Sequence, residues 1–247
     1  DFIAAEDTRV TVKLLNHLGI KKPMVSYYRH NTDTSGAAVL ERLLAGENCA
    51  LVTDAGTPAV SDPGEDLVAQ CAAAGVPVVA IPGPCALVTA LAVSGLPTGR
   101  FTFEGFLAMN KKNRRAHLEE LKSEQRTMIF YEAPHKLTAT LRDLREAFGA
   151  ERRISLCREL TKLHEEVLRF TLAEAVAYYE ENAPKGEYVL VVAGAAPKTG
   201  AVVTLEDGVA QVLALKEQGM RLKDAAKEVA EHTGLSKNEL YAAALER

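Results

Sequence analysis

Short apolar runs rich in Val and Ile alternate along the chain with stretches whose apolar residues recur at helical spacing. Cys49-Ala50-Leu51-Val52-Thr53 has the length and composition of a strand and stops at Asp54-Ala55-Gly56-Thr57-Pro58. The pattern then predicts a helix over 63–74 closed by Gly75, a strand over 76–81 ending at Pro82-Gly83-Pro84, and a helix over 85–93. This strand–loop–helix rhythm predicts parallel βαβ units. In such sheets ligands collect at the carboxyl ends of the strands, where these Gly/Pro loops lie. The first residues, from Phe2, read as a strand already under way.

Ser94-Gly95-Leu96-Pro97-Thr98-Gly99 is a cluster of breakers and marks a boundary. Beyond it a second α/β unit is predicted, with strands over 101–106, 127–131, 154–158, 167–171 and 188–192 and helices over 112–123, 135–148 and 172–182. Residues 195–200 read as a linker. The remainder is helical, with Leu222, Ala225, Ala226, Val229 and Ala230 at helical spacing. Ser236-Lys237-Asn238-Glu239 has the form of a capping box, flanked by Leu235 and Leu240 as a staple, so a helix is predicted from Lys237. The expected domains are 1–96, 97–197 and 201–247. Two short helices joined around Gly234 fit a helix-turn-helix and fit a small helical packing domain equally well.

The composition, 47% hydrophobic and 25% charged over 247 residues, is that of a soluble globular protein. No apolar run approaches the roughly 20 residues that span a bilayer, and no basic-then-apolar leader is read, so a cytoplasmic location without membrane contact is expected. Cys49, Cys71, Cys85 and Cys157 are scattered without metal-ligand spacing, which predicts reduced thiols and no metal. The net charge of −4 argues against a protein that coats nucleic acid non-specifically. A local basic group, Lys111, Lys112, Arg114, Arg115, His117, Lys122 and Arg126, reads either as an RNA-facing patch or as the solvated face of a surface helix.

The segment from Asp54 to Pro58, followed by Ser61-Asp62-Pro63-Gly64, is the densest in groups suited to a ligand. Gly56 lets a ligand approach the backbone, Pro58 fixes the loop, Thr57 and Ser61 offer hydroxyls, and Asp54 and Asp62 offer acceptors. A tight βα turn with Asp62 capping a helix that starts at Pro63 accounts for the same residues. No GxGxxG or P-loop occurs. Pro82-Gly83-Pro84-Cys85-Ala86 forms a second such loop; its small residues admit a flat ligand, and Cys85 lacks the basic partner a nucleophile needs. Glu6-Asp7-Thr8-Arg9, Arg29-His30-Asn31, Tyr131-Glu132 and Arg158-Glu159-Leu160-Thr161-Lys162 stand at strand ends. Each could be an internal ion pair; four of them after strands point to a shared polar cleft.

EDTR, the His30-Asn31 pair, DAGTP with SDPG, PGPCA, FEGFL, FYEAPH, RELTK and KGE follow one another in this order. In that order the chain resembles the RsmI family of the tetrapyrrole-methylase superfamily, over essentially its whole length. The resemblance implies two α/β domains of tetrapyrrole-methylase type with a small C-terminal helical domain. It also implies S-adenosyl-L-methionine as methyl donor, a homodimer, and 2′-O-methylation of a cytidine in small-subunit ribosomal RNA.

By position, the resemblance places the cofactor against Asp54, Ala55, Gly56, Thr57, Val60, Cys85, Ala86, Tyr131 and Leu160. It marks Glu6, Asp7, Arg9, His30, Asn31, Glu104, Glu132, His135, Arg158, Glu159 and Lys162 as catalytic or RNA-handling groups without assigning their separate roles; because a ribose hydroxyl needs its proton accepted, Glu6, Asp7 or His30 is expected to take it. Lys111, Lys112, Arg114 and Arg115 are the expected RNA grip. A strand and a Pro-x-Gly-Asn-Leu loop are expected ahead of Asp1. Ala108 stands where the family usually has Pro, and Lys136 where Arg is common, which loses a bidentate fork. The competing expectations are a tetrapyrrole or protein methyltransferase of the same superfamily and a non-catalytic nucleic-acid-binding protein.

Overall fold

The computed structural model describes residues 1–29, 31–196 and 204–246. Strand β1 (Phe2–Ala5) pairs in parallel with β2 (Met24–Ser26) on one side and β3 (Cys49–Val52) on the other. Helices α1 (Thr8–Leu18) and α2 (Thr32–Leu44) make the crossovers that parallel strands require. Side chains alternate across β1. Phe2 and Ala4 pack with Tyr27, Val39, Leu67 and Cys71 on one face, and Ile3 and Ala5 pack with Leu15 on the other.

Helix α3 (Glu65–Ala73) follows β3, two residues later than the sequence pattern suggests. Its cap is Gly64 at φ 143, not Asp62. A Cβ on Gly64 would sit 2.7 Å from Leu51 Cδ2 and 3.1 Å from Ala59 Cβ, so the turn closes against β3 only with glycine there. Residues 76–81 do not form the expected strand. Val78, Val79 and Ile81 are 53%, 79% and 83% exposed. A strand needs a hydrogen-bonded neighbour as well as β-branched side chains; β3 pairs with β1 alone, and no described residue pairs with 76–81.

Helix α4 (Ala86–Ser94) leads into a five-stranded sheet. Its elements are β4 (Phe101–Phe106), α5 (Lys111–Glu120), β5 (Thr127–Glu132), α6 (Pro134–Phe148), β6 (Arg153–Arg158), β7 (Glu166–Thr171), α7 (Leu172–Glu181) and β8 (Tyr188–Val192), in strand order β4-β5-β8-β6-β7. β4 and β5 are parallel and the other pairs antiparallel. β8 is central and buried along its whole length. On one face Met128, Phe130, Leu156 and Leu190 meet Leu137, Leu141, Leu144, Leu172 and Val176 of α6 and α7. On the other, Ile129, Cys157, Val189 and Val191 meet Leu87, Ala90 and Leu91 of α4. Both sheets belong to one compact unit, Asp1–Ala195.

The second unit begins at Ala196 and carries α8 (Leu205–Glu217), α9 (Leu222–Thr233) and α10 (Lys237–Leu245) around Val209, Val212, Ala225, Ala226, Val229, Leu240 and Ala244. α10 starts at Lys237, with the Ser236 hydroxyl accepting from Glu239 N at 3.5 Å. Fully reciprocal capping boxes occur at Thr171/Glu174 and Thr204/Asp207. The linker expected at 195–200 falls mostly outside the described residues. No described helix is long and apolar enough to cross a membrane.

Leu190 is fully buried at the centre of β8. Leu190→Ala is expected to cost about 2–5 kcal/mol, measured by denaturant unfolding, through lost burial and the cavity left behind.

Candidate active site

A cavity of about 470 Å³ opens between the loops of the first sheet and the ends of β5, β6 and β8, a size usual for a small-molecule site. Its first wall is Ala55, Gly56, Thr57, Val60, Ser61 and Asp62. This loop is tightly wound, with positive φ at Gly56, Ala59 and Ser61. At Gly56, φ is +78 and the nearest atom to an added Cβ is Pro84 O at 3.9 Å, so backbone geometry and not crowding requires glycine. Thr57 Oγ1 donates to Pro84 O at 3.1 Å and joins this loop to the second one.

The second wall is Cys85 and Ala86 at the start of α4. Cys85 is the N-cap and makes no side-chain capping bond. The amide of Leu87, one of the helix's unsatisfied donors, instead donates to the Tyr131 hydroxyl at 3.2 Å. Burial raises the Tyr131 hydroxyl above its ordinary pKa.

The third wall comes from the second sheet: Tyr131, Glu132, Ala133 and Pro134 at and beyond the end of β5, Cys157, Glu159, Leu160 and Lys162 at and beyond the end of β6, and Glu187, Tyr188 and Val189 at the start of β8. Glu132 is buried, and its carboxylate accepts from Ala133 N at 2.9 Å and from the Thr140 hydroxyl. Glu159 and Thr161 both adopt positive φ. Glu159 accepts from Glu187 N at 2.9 Å and from Lys162 Nζ at 3.0 Å, and Lys162 also reaches Glu187 at 2.8 Å. The Glu187 amide and then Lys162 lower the Glu159 pKa, while Glu187 and Glu159 raise that of Lys162. A Cβ at Gly186 would lie within 2.7 Å of the Glu159 carboxyl carbon, so glycine there is the condition for this arrangement.

Eleven sequence candidates therefore meet in one cavity: Ala55, Gly56, Thr57, Val60, Cys85, Ala86, Tyr131, Glu132, Glu159, Leu160 and Lys162. Glu6, Asp7, Arg9, Asn31, Asp54 and Arg158 do not line it. Glu6 accepts from the Thr53 hydroxyl and from Asp54 N at 3.1 Å, tying the end of β1 to that of β3. Asp7 caps α1 and forms a forked pair with Arg9. Asn31 accepts from Tyr28 N at 2.8 Å and donates to Ser26 O at 3.1 Å, holding the turn before α2. Arg158 Nε lies 3.3 Å from Glu166 without the geometry of a hydrogen bond. His30 lies outside the described residues.

Of the expected RNA grip, Lys111, Lys112 and Arg115 are exposed. The Arg114 side chain is 14% exposed and turns inward to Asp143 and to Thr140 Oγ1 at 2.8 Å. His117, Lys122 and Arg126 are paired with Glu104, Glu119 and Glu124. Ser61 and Asp62, read from the sequence as a hydroxyl and an acceptor suited to a ligand, line the cavity too, as do Phe106, Glu187, Tyr188 and Val189, whose roles the sequence did not single out. The FEGFL, SDPG and KGE motifs contain four of them and were the available signal. Among the described residues no group of three or more His, Cys, Asp or Glu could hold a metal ion.

Burial raises the pKa of Asp62, helped by the negative charges of Glu6 and Asp54 and opposed by a hydrogen bond from Thr53. Asp7 behaves oppositely: the Arg9 side chain, then its amide, lower it from 3.8 to about 2. Because the folded value lies below the unfolded one, the Asp7 contribution to stability is present above pH 3.8 and is lost as pH falls towards 2. Carboxyl NMR should show Asp7 still ionised at about pH 3, and Arg9→Ala should move its midpoint up towards 3.8.

Comparison with known proteins agrees with this architecture. The family model for Tetrapyrrole (Corrin/Porphyrin) Methylases matches residues 1–176, and that for the RsmI C-terminal HTH domain matches 203–247. Ribosomal RNA small subunit methyltransferase I of a Synechocystis strain is 48% identical, over 100% of this chain and 88% of its own. Its counterpart in Halalkalibacterium halodurans is 47% identical over 98% and 84%, and that in Escherichia coli O157:H7 is 43% identical over 100% and 86%. Among solved structures, the methyltransferase CobJ matches with a TM-score of 0.55 at 21% identity, over 81% of this chain and 96% of its own. Uroporphyrin-III-C-methyltransferase from Thermus thermophilus matches with 0.51 at 18% identity, over 77% and 81%; these two show the fold. The length and level of identity with the ribosomal RNA enzymes, together with both family models, establish that the chain belongs to the RsmI family of tetrapyrrole-type methylases.

Proposed function

We propose that the protein transfers a methyl group from S-adenosyl-L-methionine to a ribose 2′-hydroxyl, that of a cytidine, in small-subunit ribosomal RNA. The observation that carries this reading is the cavity itself: bare backbone at Gly56, the small residues Cys85 and Ala86 at a helix start, and Tyr131 and Leu160 on the wall from the second sheet. The donor set suits a nucleoside with a charged tail, because apolar surface alternates with peptide groups and a few polar side chains. When bound, the cofactor supplies an electrophilic methyl group on a sulfonium.

The chain's own residues position the acceptor and take its proton. A hydroxyl is a weak nucleophile until its proton is accepted. Beside the expected Glu6, Asp7 and His30, the cavity offers Asp62, a lining carboxylate whose proton affinity burial raises. Glu132 and Glu159 are committed to their own hydrogen bonds. RNA is gripped through Lys111, Lys112 and Arg115, by charge and shape. A homodimer belongs to the same proposal; Val10, Leu14 and Leu18 form an exposed apolar stripe on α1 available to a second copy.

The relatives at 43–48% identity are named for ribosomal RNA, whereas the uroporphyrin-III-C-methyltransferase is alike at 18%, which favours RNA as the acceptor. The test is transfer of labelled methyl from S-adenosyl-L-methionine to small ribosomal subunits, with a corrinoid precursor as competitor. Label in the RNA, at a ribose, supports the proposal; label only in the tetrapyrrole overturns it. Ala86→Leu, which fills the cavity wall, is expected to weaken cofactor binding in calorimetry by about tenfold or more. Asp62→Asn is expected to lower kcat by roughly a hundredfold while leaving cofactor affinity within about twofold; an unchanged kcat removes Asp62 from the proton path.

A further inference from the structure

The FEGFL motif contains a local irregularity whose effect is to aim an aromatic ring at the cavity. In β4, Phe103 pairs with Ile129 and Gly105 with Phe130, so Glu104 is an extra residue without an opposite number. In an unbroken strand, residues 103 and 106, three apart, would point to opposite faces. The bulge puts both on the α4 face. Phe103 and Phe106 each present to the Tyr131 ring, at centroid distances of 5.0 and 5.6 Å and interplanar angles of 68° and 64°. Glu104 points the other way and meets His117 of α5 at 2.9 Å. Gly105 sits at φ +63, a conformation that disfavours any side chain. Bulges are rare in parallel pairs and cluster beside active sites, where they re-aim side chains.

The result is a Phe106 ring that lines the cavity yet is 57% exposed. Burial does not explain it, because a core phenylalanine would be covered. The hydroxyl end of Tyr131 is committed to α4, and Phe106 packs on the ring of Tyr131. It packs on Tyr131 on the cavity lining and leaves more than half of its surface accessible.

Resting on the proposed function, we infer that Phe106 is the stacking platform for the base of the nucleotide to be methylated. An acceptor ribose inside stacked RNA cannot bring its hydroxyl into a recessed cavity, so the nucleotide must leave the stack. The lost base–base stacking is replaced on an aromatic face. A phenylalanine face has no hydrogen-bonding code, so Phe106 holds an extruded base of any identity, and the choice of base falls to other groups.

The test compares Phe106→Ala, Phe106→Leu and Phe106→Tyr in steady-state methyl transfer to small ribosomal subunits, with cofactor affinity measured by calorimetry on each. Phe106→Ala is expected to raise KM for the subunit by about tenfold or more, the usual size of one lost base–aromatic stack, with cofactor affinity unchanged. Phe106→Tyr should restore wild-type behaviour, and Phe106→Leu, apolar but without a π face, should resemble Phe106→Ala. A wild-type KM in Phe106→Ala, full function in Phe106→Leu, or a matching loss of cofactor affinity overturns the inference. Thermal melting of both variants shows whether each is folded, and Phe106→Leu carries the test should the alanine variant misfold. A wild-type protein that binds cofactor but methylates no subunit overturns the function reading, and this inference falls with it.

Discussion

Helix α4 is held at both ends by the second sheet, and the cavity exists because of it. At its N-terminus the Leu87 amide donates to Tyr131 of β5. At its C-terminus the carbonyls of Val93 and Ser94 accept from Arg169 of β7, and that of Gly95 accepts from Arg153 of β6. Guanidinium groups at a helix C-terminus satisfy carbonyls that have no partner in the helix and complement its dipole. Between the ends, Leu87, Ala90 and Leu91 are buried on Ile129, Cys157, Val189 and Val191. Each fully buried Leu contributes roughly 1.5–3 kcal/mol, so this face outweighs any single hydrogen bond in the clamp.

The loop that precedes α4 is tied in turn to the first sheet by Thr57 and Pro84. Fixing α4 on one sheet and its entry loop on the other sets the gap between strand ends. Gly56, Gly64 and Gly186 keep that gap clear, each by a different means: an αL turn, close packing on β3, and room for the Glu159 carboxylate. The polar side chains around it are largely spoken for. Glu132 and Glu159 shape the walls, and Asp62 is left with its proton affinity raised by burial. A cleft so arranged separates groups that hold a shape from groups that can exchange a proton.

The elements that local pattern delimits well are those whose partners are equally local. α4 runs between Cys85 and Gly95 because a breaker stands at each end, and α10 begins at Lys237 because Ser236 caps it. The strands from β4 to β8 stand close to where apolar runs place them. What pattern does not contain is pairing across long sequence distances. Residues 76–81 have strand composition and no neighbour to bond. The helix predicted from Pro63 waits until Glu65, because Gly64 must pass under Leu51 and Ala59. The Glu104 bulge is visible only against β5, so Phe106 could not be placed from sequence. Arg114 reads like its basic neighbours, yet turns inward because Asp143 and Thr140 stand on the adjacent helix. At the site, the loop residues from Ala55 to Val60 stood out through their glycine and proline; Glu187 lay in the KGE motif, but its role was not legible there, since it depends on Lys162, 25 residues away.

The central claim, that a sulfonium nucleoside lodges where α4, the Gly56 loop and the Tyr131 wall converge, is tested most directly by hydrogen–deuterium exchange with and without S-adenosylhomocysteine. The account predicts slowed amide exchange confined to residues 55–62, 85–88, 131–134 and 159–162, with the outer face of α5 unchanged. Saturating ligand that leaves those four segments exchanging as before, or that protects a different surface, would contradict it.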